Sequence, residues 1–353
     1  MMVLSGDMEE NSPNFVPKEQ RTRSTRAKDF LTGRQYQAWA DKNVTFFSDN
    51  DLEFGLHAEH SWADALTLGH LSELIFQYEL AHHDQLYSGK MGPSLADDLK
   101  PQLLKWESLP GLQTAIEEAA IFSAQLAANI DVRVCFYTDF GKAAIKRAGI
   151  SPDAFLQAAF QLAFKRLHDF YALTYESAST RLFRDGRTET VRSLTPELKL
   201  FVDQLVNDYD KDICLDLLRK SCSQHQKLYR QAMAGQGCDR HLFALYVASR
   251  ACDSLNTDKG GSRFLKSVLS EPWHLATSQQ PQRQDKTESQ YFAPGGGFAP
   301  ITKDGYGLSY MIPDEKKFIF HISSFRDSLI TDTARFETSL REALSSLHNL
   351  ISD

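Results

Sequence analysis

The sequence predicts an α/β (α+β) chain, on three observations. Apolar residues recur at helical spacing in several stretches, for example Leu156, Phe160, Ala163 and Leu167. Other stretches alternate and are rich in β-branched or aromatic residues, for example Val132-Arg-Val-Cys-Phe-Tyr137. The two kinds interleave unevenly along 353 residues, enough for one large or two medium domains with a real core.

Taken in order, residues 1–28 are polar and mixed in charge, without a secretory apolar segment, and are expected to form a disordered leader. Val44-Thr-Phe-Phe and Leu52 to His57, separated by Asp-Asn-Asp, predict a β-hairpin. A helix is expected from Ser61 to about His82, then a loop or lid over 84–110, then a helix from Pro110 to Asn129. Val132–Tyr137 is a strand, followed by a loop over Phe140–Lys146. Ser151-Pro-Asp153 opens a long, mostly buried helix: the serine caps, proline takes the first turn, and the acid sits at the positive end. Two helices are expected in 196–255, broken at Gly235-Gln-Gly237. Strands follow at 273–278, 306–312 and 318–323, and Thr331 is expected to cap a last helix to about Leu350.

Composition narrows the function classes. Apolar residues are 42% and charged residues 24%, ordinary for a soluble protein. A net charge of −7 is the wrong sign for a nucleic-acid partner. No apolar run is long enough to span a membrane. The five cysteines are odd in number and without metal or redox spacing, which points to mostly buried thiols in a reducing compartment.

Several residues could carry chemistry. His60 and Asp64 are four apart, so a helix from Ser61 would put the carboxylate one turn beyond the imidazole, able to hold the ring during proton transfer. Such pairs are also ordinary helix decoration. His57 and His60 form His-x-x-His, but neither Cys-x-x-Cys nor His-Glu-x-x-His is present, and no metal is expected. Lys142 and Lys146 stand near a helix start and would suit a phosphate, or are a solvated pair. On their own, Tyr175, Thr188 and Arg240 are a helix-end tyrosine, a loop threonine and a surface arginine. The glycines at 295–297 are a tight turn, not a P-loop.

His-x-x-x-Asp at 60–64 resembles the signature of the CoA-dependent acyltransferases, in which that histidine is the general base. Glu59-His-Ser-Trp-Ala-Asp64 narrows the resemblance to the carnitine acyltransferases, and most to the long-chain carnitine palmitoyltransferase branch of the outer mitochondrial membrane. Phe140-Gly-Lys-x-x-x-Lys146 with Ser-Pro-Asp153 resembles that family's coenzyme A site. Tyr175-Glu-Ser-Ala-x-x-Arg-x-Phe with Gly186-Arg-Thr-Glu-Thr-Val-Arg192 resembles its carnitine signature. Ala276-Thr-Ser278 resembles its Ser-Thr-Ser segment with the first serine replaced.

The resemblance implies a chloramphenicol acetyltransferase-like fold, a mixed sheet flanked by helices. It implies reversible transfer of a long-chain acyl group between coenzyme A and L-carnitine, both substrates, with no cofactor. By it His60 is the base, Asp64 its support and Ser278 the oxyanion donor. Lys142, Lys146 and Asp153 bind coenzyme A. Tyr175, Thr188 and Arg240 bind the carnitine carboxylate, and Phe298 offers an aromatic face to the trimethylammonium group. Gly296 stands where short-chain members carry a bulky residue, which leaves room for a long alkyl tail. The implied organisation is a leader at 1–28, a remnant of the N-terminal catalytic half at 29–108, and a carnitine- and CoA-binding domain at 109–353. Most of the N-terminal half and the membrane segments are then expected to be absent. A second expectation, from a different class, is a non-catalytic fragment that binds coenzyme A or carnitine, or associates with itself or a full-length relative. Mitochondrial location follows from the resemblance alone.

Overall fold

The expected mixture of helices and strands is realised as two sheets with helices packed on the larger. The structure, a computed structural model, describes residues 2–5, 16–33, 38–39, 41–48, 54–86, 88, 103–107, 109–207, 209–251, 261–280 and 295–352. In chain order these form β1 (Met2–Ser5), α1 (Arg23–Leu31), β2 (Val44–Ser48), β3 (Phe54–Ala58), α2 (Ala65–Ala81), α3 (His83–Leu86) and α4 (Leu112–Asn129). Then come β4 (Ile130–Tyr137), α5 (Lys142–Arg147), α6 (Pro152–His168), β5 (Thr174–Ser179), β6 (Thr188–Arg192), α7 (Pro196–Asn207) and α8 (Lys211–Met233). The chain continues through α9 (Asp239–Ala251), α10 (Gly261–Ser270), β7 (Leu275–Gln279), β8 (Tyr306–Met311), β9 (Phe318–Phe325) and α11 (Thr333–Ile351).

The large sheet has strand order β4-β9-β8-β7-β5-β6. Its centre is parallel, β7 running with both β5 and β8, and its flanks are antiparallel. Helices α6 and α11 cover one face, and the core lies between them and the sheet. There Phe155, Phe160 and Phe164 of α6 meet Tyr306, Tyr310, Phe318 and Phe320. Every residue of α6 from Ala154 to Phe164 is buried. Its start matches the sequence reading: Ser151 Oγ accepts from Ala154 N at 3.5 Å, and Pro152 takes the first turn.

The small sheet, β1-β2-β3, contains the expected hairpin, with Thr45 opposite His57. Helix α1 joins it to the large sheet. Thr22 and Thr25 form a reciprocal capping box, so a helix starts inside the stretch expected to be a leader. Ser24 Oγ then accepts from Val134 N at 3.0 Å, satisfying a donor on the edge strand β4. At its other end Phe30 stacks on Phe47, and the Phe30 carbonyl accepts from His57 Nδ1 at 2.9 Å. Gly55 is where β3 crosses this ring: an added Cβ would stand 2.2 Å from Phe30 Cε2.

Four local expectations are corrected. Lys142–Arg147 is a short helix, not loop, entered through Gly141 without a side-chain cap. Residues 196–251 hold three helices rather than two, because Asp210 accepts from Ile213 N at 3.0 Å and starts a new one. Asp332, not Thr331, caps the last helix, accepting from Arg335 N at 2.9 Å. Tyr175 and Thr188 lie in strands, not at a helix end and in a loop. Cys135, Cys214 and Cys222 are buried and Cys238 is exposed, while Cys252 and most of the expected 84–110 loop lie outside the described residues. Among the described residues no helix is long and apolar enough to cross a membrane. Helix α2 buries none of its side chains, and Leu74, Ile75, Phe76, Tyr78 and Leu80 are exposed.

Candidate functional site

The His60 loop leaves β3 and is tied down before α2 begins. Glu59 N donates to Asn43 O at 3.1 Å, extending the hairpin ladder by one rung. The Glu59 carboxylate then accepts from both the hydroxyl and the backbone N–H of Ser61, which hold it below the usual carboxylate range. Residues 60–63 are spent in this turn, so the helix starts at Ala65 rather than Ser61, with Asp64 at its N-cap position. The His60 side chain is 70% exposed.

Arg187, from the β5–β6 connection, grips that loop. Nη1 donates to Ser61 O at 2.5 Å and Nη2 to His60 O at 2.7 Å. The same guanidinium donates to Asp64, Nη2 to Oδ1 at 3.0 Å and Nε to Oδ2 at 3.4 Å. Asp64 Oδ1 stands 3.7 Å from His60 Nδ1, beyond a hydrogen bond. The carboxylate expected to hold the ring is therefore bonded to Arg187 instead, because a guanidinium offers it two donors in one plane. Any support Asp64 lends the imidazole is electrostatic and shared with the arginine.

Strand register sorts the other site residues onto two faces of the large sheet. Tyr175 pairs with Ala276 and Arg192, Ser179 with Thr188, and Ser278 with Ser309. Since successive side chains alternate and paired ones share a face, Tyr175, Thr188 and Ser278 lie on one face. Glu176, Thr277 and Tyr310 lie on the other, under α6, where Gln157 Nε2 donates to Thr277 Oγ1 at 3.0 Å and to the Tyr310 hydroxyl at 3.1 Å.

On the first face Arg240 Nη2 donates to Thr188 Oγ1 at 3.1 Å and Nε to Thr188 O at 3.2 Å. Tyr175 packs edge-on to Trp273, with ring centroids 5.8 Å apart. Tyr175 and Arg240 line one cavity of about 390 Å³ together with Thr190, Phe243, Lys266 and Trp273. Tyr175 and Thr188 are not side by side. Thr188 sits opposite Ser179, roughly 13 Å along β5 from Tyr175 at the ordinary strand rise. Beyond β7, Gln280 clasps Gly296 in both directions: Nε2 donates to Gly296 O and Oε1 accepts from Gly296 N, each at 3.0 Å. Ser323 Oγ donates to Phe298 O at 2.5 Å. Ser323 and Ser309 reach the Ser278 face through the register of β8 and β9, so Gly296 and Phe298 run beside that face.

Asp153 belongs to the opposite face. It accepts from the Tyr310 hydroxyl at 2.6 Å, and its pKa is pushed up to about 6 by burial, with the Glu176 carboxylate adding to the push. Glu176 accepts from Ser193 Oγ at 2.5 Å and pairs with His225 Nε2 at 2.7 Å. Burial opposes charge on His225, but Glu176 outweighs it and raises the imidazole pKa. Asp153, Glu176 and His225 bring potential ligand atoms within 4.8 Å of one another. A zinc ion needs about 2 Å from each. Here Tyr310 donates to Asp153 Oδ1, and Ser193 and His225 both fall on Glu176 Oε2, while Glu176 Oε1 and His225 Nδ1 are buried without a hydrogen-bond partner among the described residues. Lys142 and Lys146 converge elsewhere, on Glu315.

A sequence profile of the choline/carnitine O-acyltransferase family matches residues 1–342. The chain belongs to this family. It is 39% identical over 353 aligned positions to the muscle isoform of carnitine O-palmitoyltransferase 1 from Homo sapiens, covering 97% of this chain and 45% of that one. To Homo sapiens choline O-acetyltransferase it is 32% identical over 337 positions, covering 93% and 43%. The chain thus spans less than half the length of these relatives. A solved chloramphenicol acetyltransferase aligns with 64% of this chain and 89% of that one at 13% identity and TM-score 0.32, which carries no argument. The fold class rests on the sheet itself, which is the mixed, helix-flanked one expected.

In a choline/carnitine O-acyltransferase frame the sequence reading missed Arg187, Glu176, His225 and Glu315. Arg187 and Glu176 lie inside the two carnitine-signature motifs, but nothing local says that one reaches Asp64 and the other a buried imidazole. His225 and Glu315 carry no motif at all.

Proposed function

We propose that the chain transfers a long-chain fatty acyl group reversibly between coenzyme A and L-carnitine, with His60 as general base. The observation that carries this reading is the adjacency of Arg187 and Thr188. One residue holds the His60 loop and the next holds Arg240, so the proton acceptor and the carnitine-carboxylate residues hang from one hairpin. In the forward direction the His60 imidazole takes the proton of the carnitine hydroxyl, and the oxygen attacks the thioester carbonyl. The tetrahedral oxyanion accepts from the Ser278 hydroxyl. Its collapse breaks the carbon–sulfur bond, and the leaving thiolate takes the proton back from the imidazolium. We assign residues 29–108 to the base-carrying unit and 109–353 to carnitine and coenzyme A. The test is carnitine-dependent release of free coenzyme A from palmitoyl-CoA by the purified chain. Release is expected; none, from folded and monodisperse protein that still binds coenzyme A, would leave a binding fragment.

Chain length is proposed to be set at Gly296. Among the described residues an added Cβ there meets only Gln280 Nε2, at 3.9 Å, within 4 Å, so none of them bars a larger side chain. Gly296→Met is expected to leave the melting temperature within about 2 °C, the effect of a change below ~0.5 kcal/mol. It should lower the palmitoyl-to-acetyl rate ratio by roughly tenfold or more, since one misplaced bulky group in an apolar channel is worth about 1–3 kcal/mol. An unchanged ratio would move the acyl channel elsewhere.

A further inference from the structure

Lys142 is a buried cation with a distant partner. Its side chain is 5% exposed, and the Glu315 Oε1 atom stands 3.6 Å from its Nζ. Lys146 Nζ stands 3.8 Å from the same oxygen. One carboxylate oxygen therefore lies between two ammonium groups at charge-contact range, outside ordinary hydrogen-bond length. Each ammonium carries three donors.

The turn that presents Glu315 is fixed even though its side chain is 54% exposed. Ala143 N donates to Glu315 O at 3.2 Å, which ties the β8–β9 connection to the first turn of α5. Gly141 permits that approach, since a Cβ there would stand 2.5 Å from Glu315 O and from Lys316 C. Asp314 Oδ1 accepts from the backbone N–H groups of Lys316 at 2.7 Å and Lys317 at 3.1 Å, shaping the turn. The backbone is thus held and the carboxylate is free to rotate toward solvent.

We infer that Glu315 is a built-in competitor for a phosphoryl group of coenzyme A, occupying the space between Lys142 and Lys146 that the phosphoryl oxygens take on binding. This rests on the proposed coenzyme A reading of the two lysines and adds to it a residue that sets the strength and selectivity of that subsite. A phosphoryl group brings more acceptor oxygens than one carboxylate, and the terminal phosphate, or the diphosphate as a whole, brings about two negative charges, so either displaces Glu315 where a neutral or singly charged group does not. The exchange trades two loose ion pairs for closer ones, and the glutamate turns out into water.

The test is calorimetric titration of coenzyme A and of 3′-dephospho-coenzyme A into the wild type, Glu315→Gln and Lys146→Ala. Glu315→Gln is expected to tighten coenzyme A binding roughly three- to tenfold, the range for removing two partly exposed ion pairs. Lys146→Ala should weaken it. A gain confined to coenzyme A assigns the terminal phosphate, and a gain kept with the dephospho form assigns the diphosphate; either supports the competitor. If Lys146→Ala weakens binding while Glu315→Gln leaves it unchanged or weaker, the coenzyme A reading stands and the competitor is overturned. If Lys146→Ala binds like the wild type, the lysines do not hold coenzyme A and both fall.

Discussion

His60→Ala is expected to cut carnitine-dependent release of coenzyme A by about 10²- to 10⁴-fold, the contribution of a positioned general base. The fold should not register the change. The ring is 70% exposed, and it takes only one long contact from Arg187, Nη2 to His60 Nδ1 at 3.4 Å; the shorter bonds that shape the loop go to backbone carbonyls, Asp64 and the Glu59 carboxylate. The variant therefore separates chemistry from structure. Its melting temperature should match the wild type, and its affinity for coenzyme A, whose proposed residues lie elsewhere, should be kept. Steady-state rates with palmitoyl-CoA beside a thermal melt decide it. An undiminished rate would mean that another group takes the proton.

Asp153→Asn is expected to make the protein more stable at neutral pH, by about 1–3 kcal/mol. The wild-type carboxyl is raised to about 6 in the folded chain, against a usual value of 3.8. Between those two pH values the unfolded chain gives up this proton while the folded chain keeps it. Stability from this group is therefore lost as pH rises from about 4 to 6, and the full penalty applies above 6. Asparagine removes the charge and keeps an oxygen for the Tyr310 hydroxyl. The gain should be complete above pH 6 and vanish near pH 4, which denaturant melts across that range will show. A loss of stability at pH 7 would mean that the carboxylate is a net stabilising partner of His225. A gain accompanied by weaker coenzyme A binding would mark Asp153 as a residue held against the fold's interest for its ligand.

Local signals made much of the fold legible. Ser151-Pro-Asp153 gave the start of α6 because cap, proline and acid all act within one turn. The β2–β3 hairpin followed from alternation across Asp-Asn-Asp. Where long-range partners decide the structure, the sequence was silent. Helix α2 starts four residues late because the preceding turn is held both by Glu59 at Ser61 and by Arg187, more than a hundred residues away. Strand β5, Thr-Tyr-Glu-Ser-Ala-Ser, lacks an apolar alternation because one of its inward residues is Glu176, matched by an imidazole from α8. Helix α5 has six residues and no side-chain cap, so it leaves no periodicity to read. At the candidate site the residue types came from motif resemblance, and the structure adds how they are distributed over the sheet. Tyr175, Thr188 and Ser278 share a face because the register is even across three strands. Asp153 is on the far side because α6 is.

The grip of Arg187 on the His60 loop makes that loop a detachable part. Among the described residues its hydrogen bonds to the large sheet's hairpin all come from Arg187, and the helix that follows it, α2, has no fully buried side chain. The large sheet, by contrast, is sealed by the α6 and α11 core. Mild denaturant should therefore release the loop well before the sheet melts, since regions with few buried contacts open at lower free energy. Catalysis is then expected to disappear at a denaturant concentration where far-ultraviolet circular dichroism is still native. The working protein would fail by coming unbuckled, with its framework still standing.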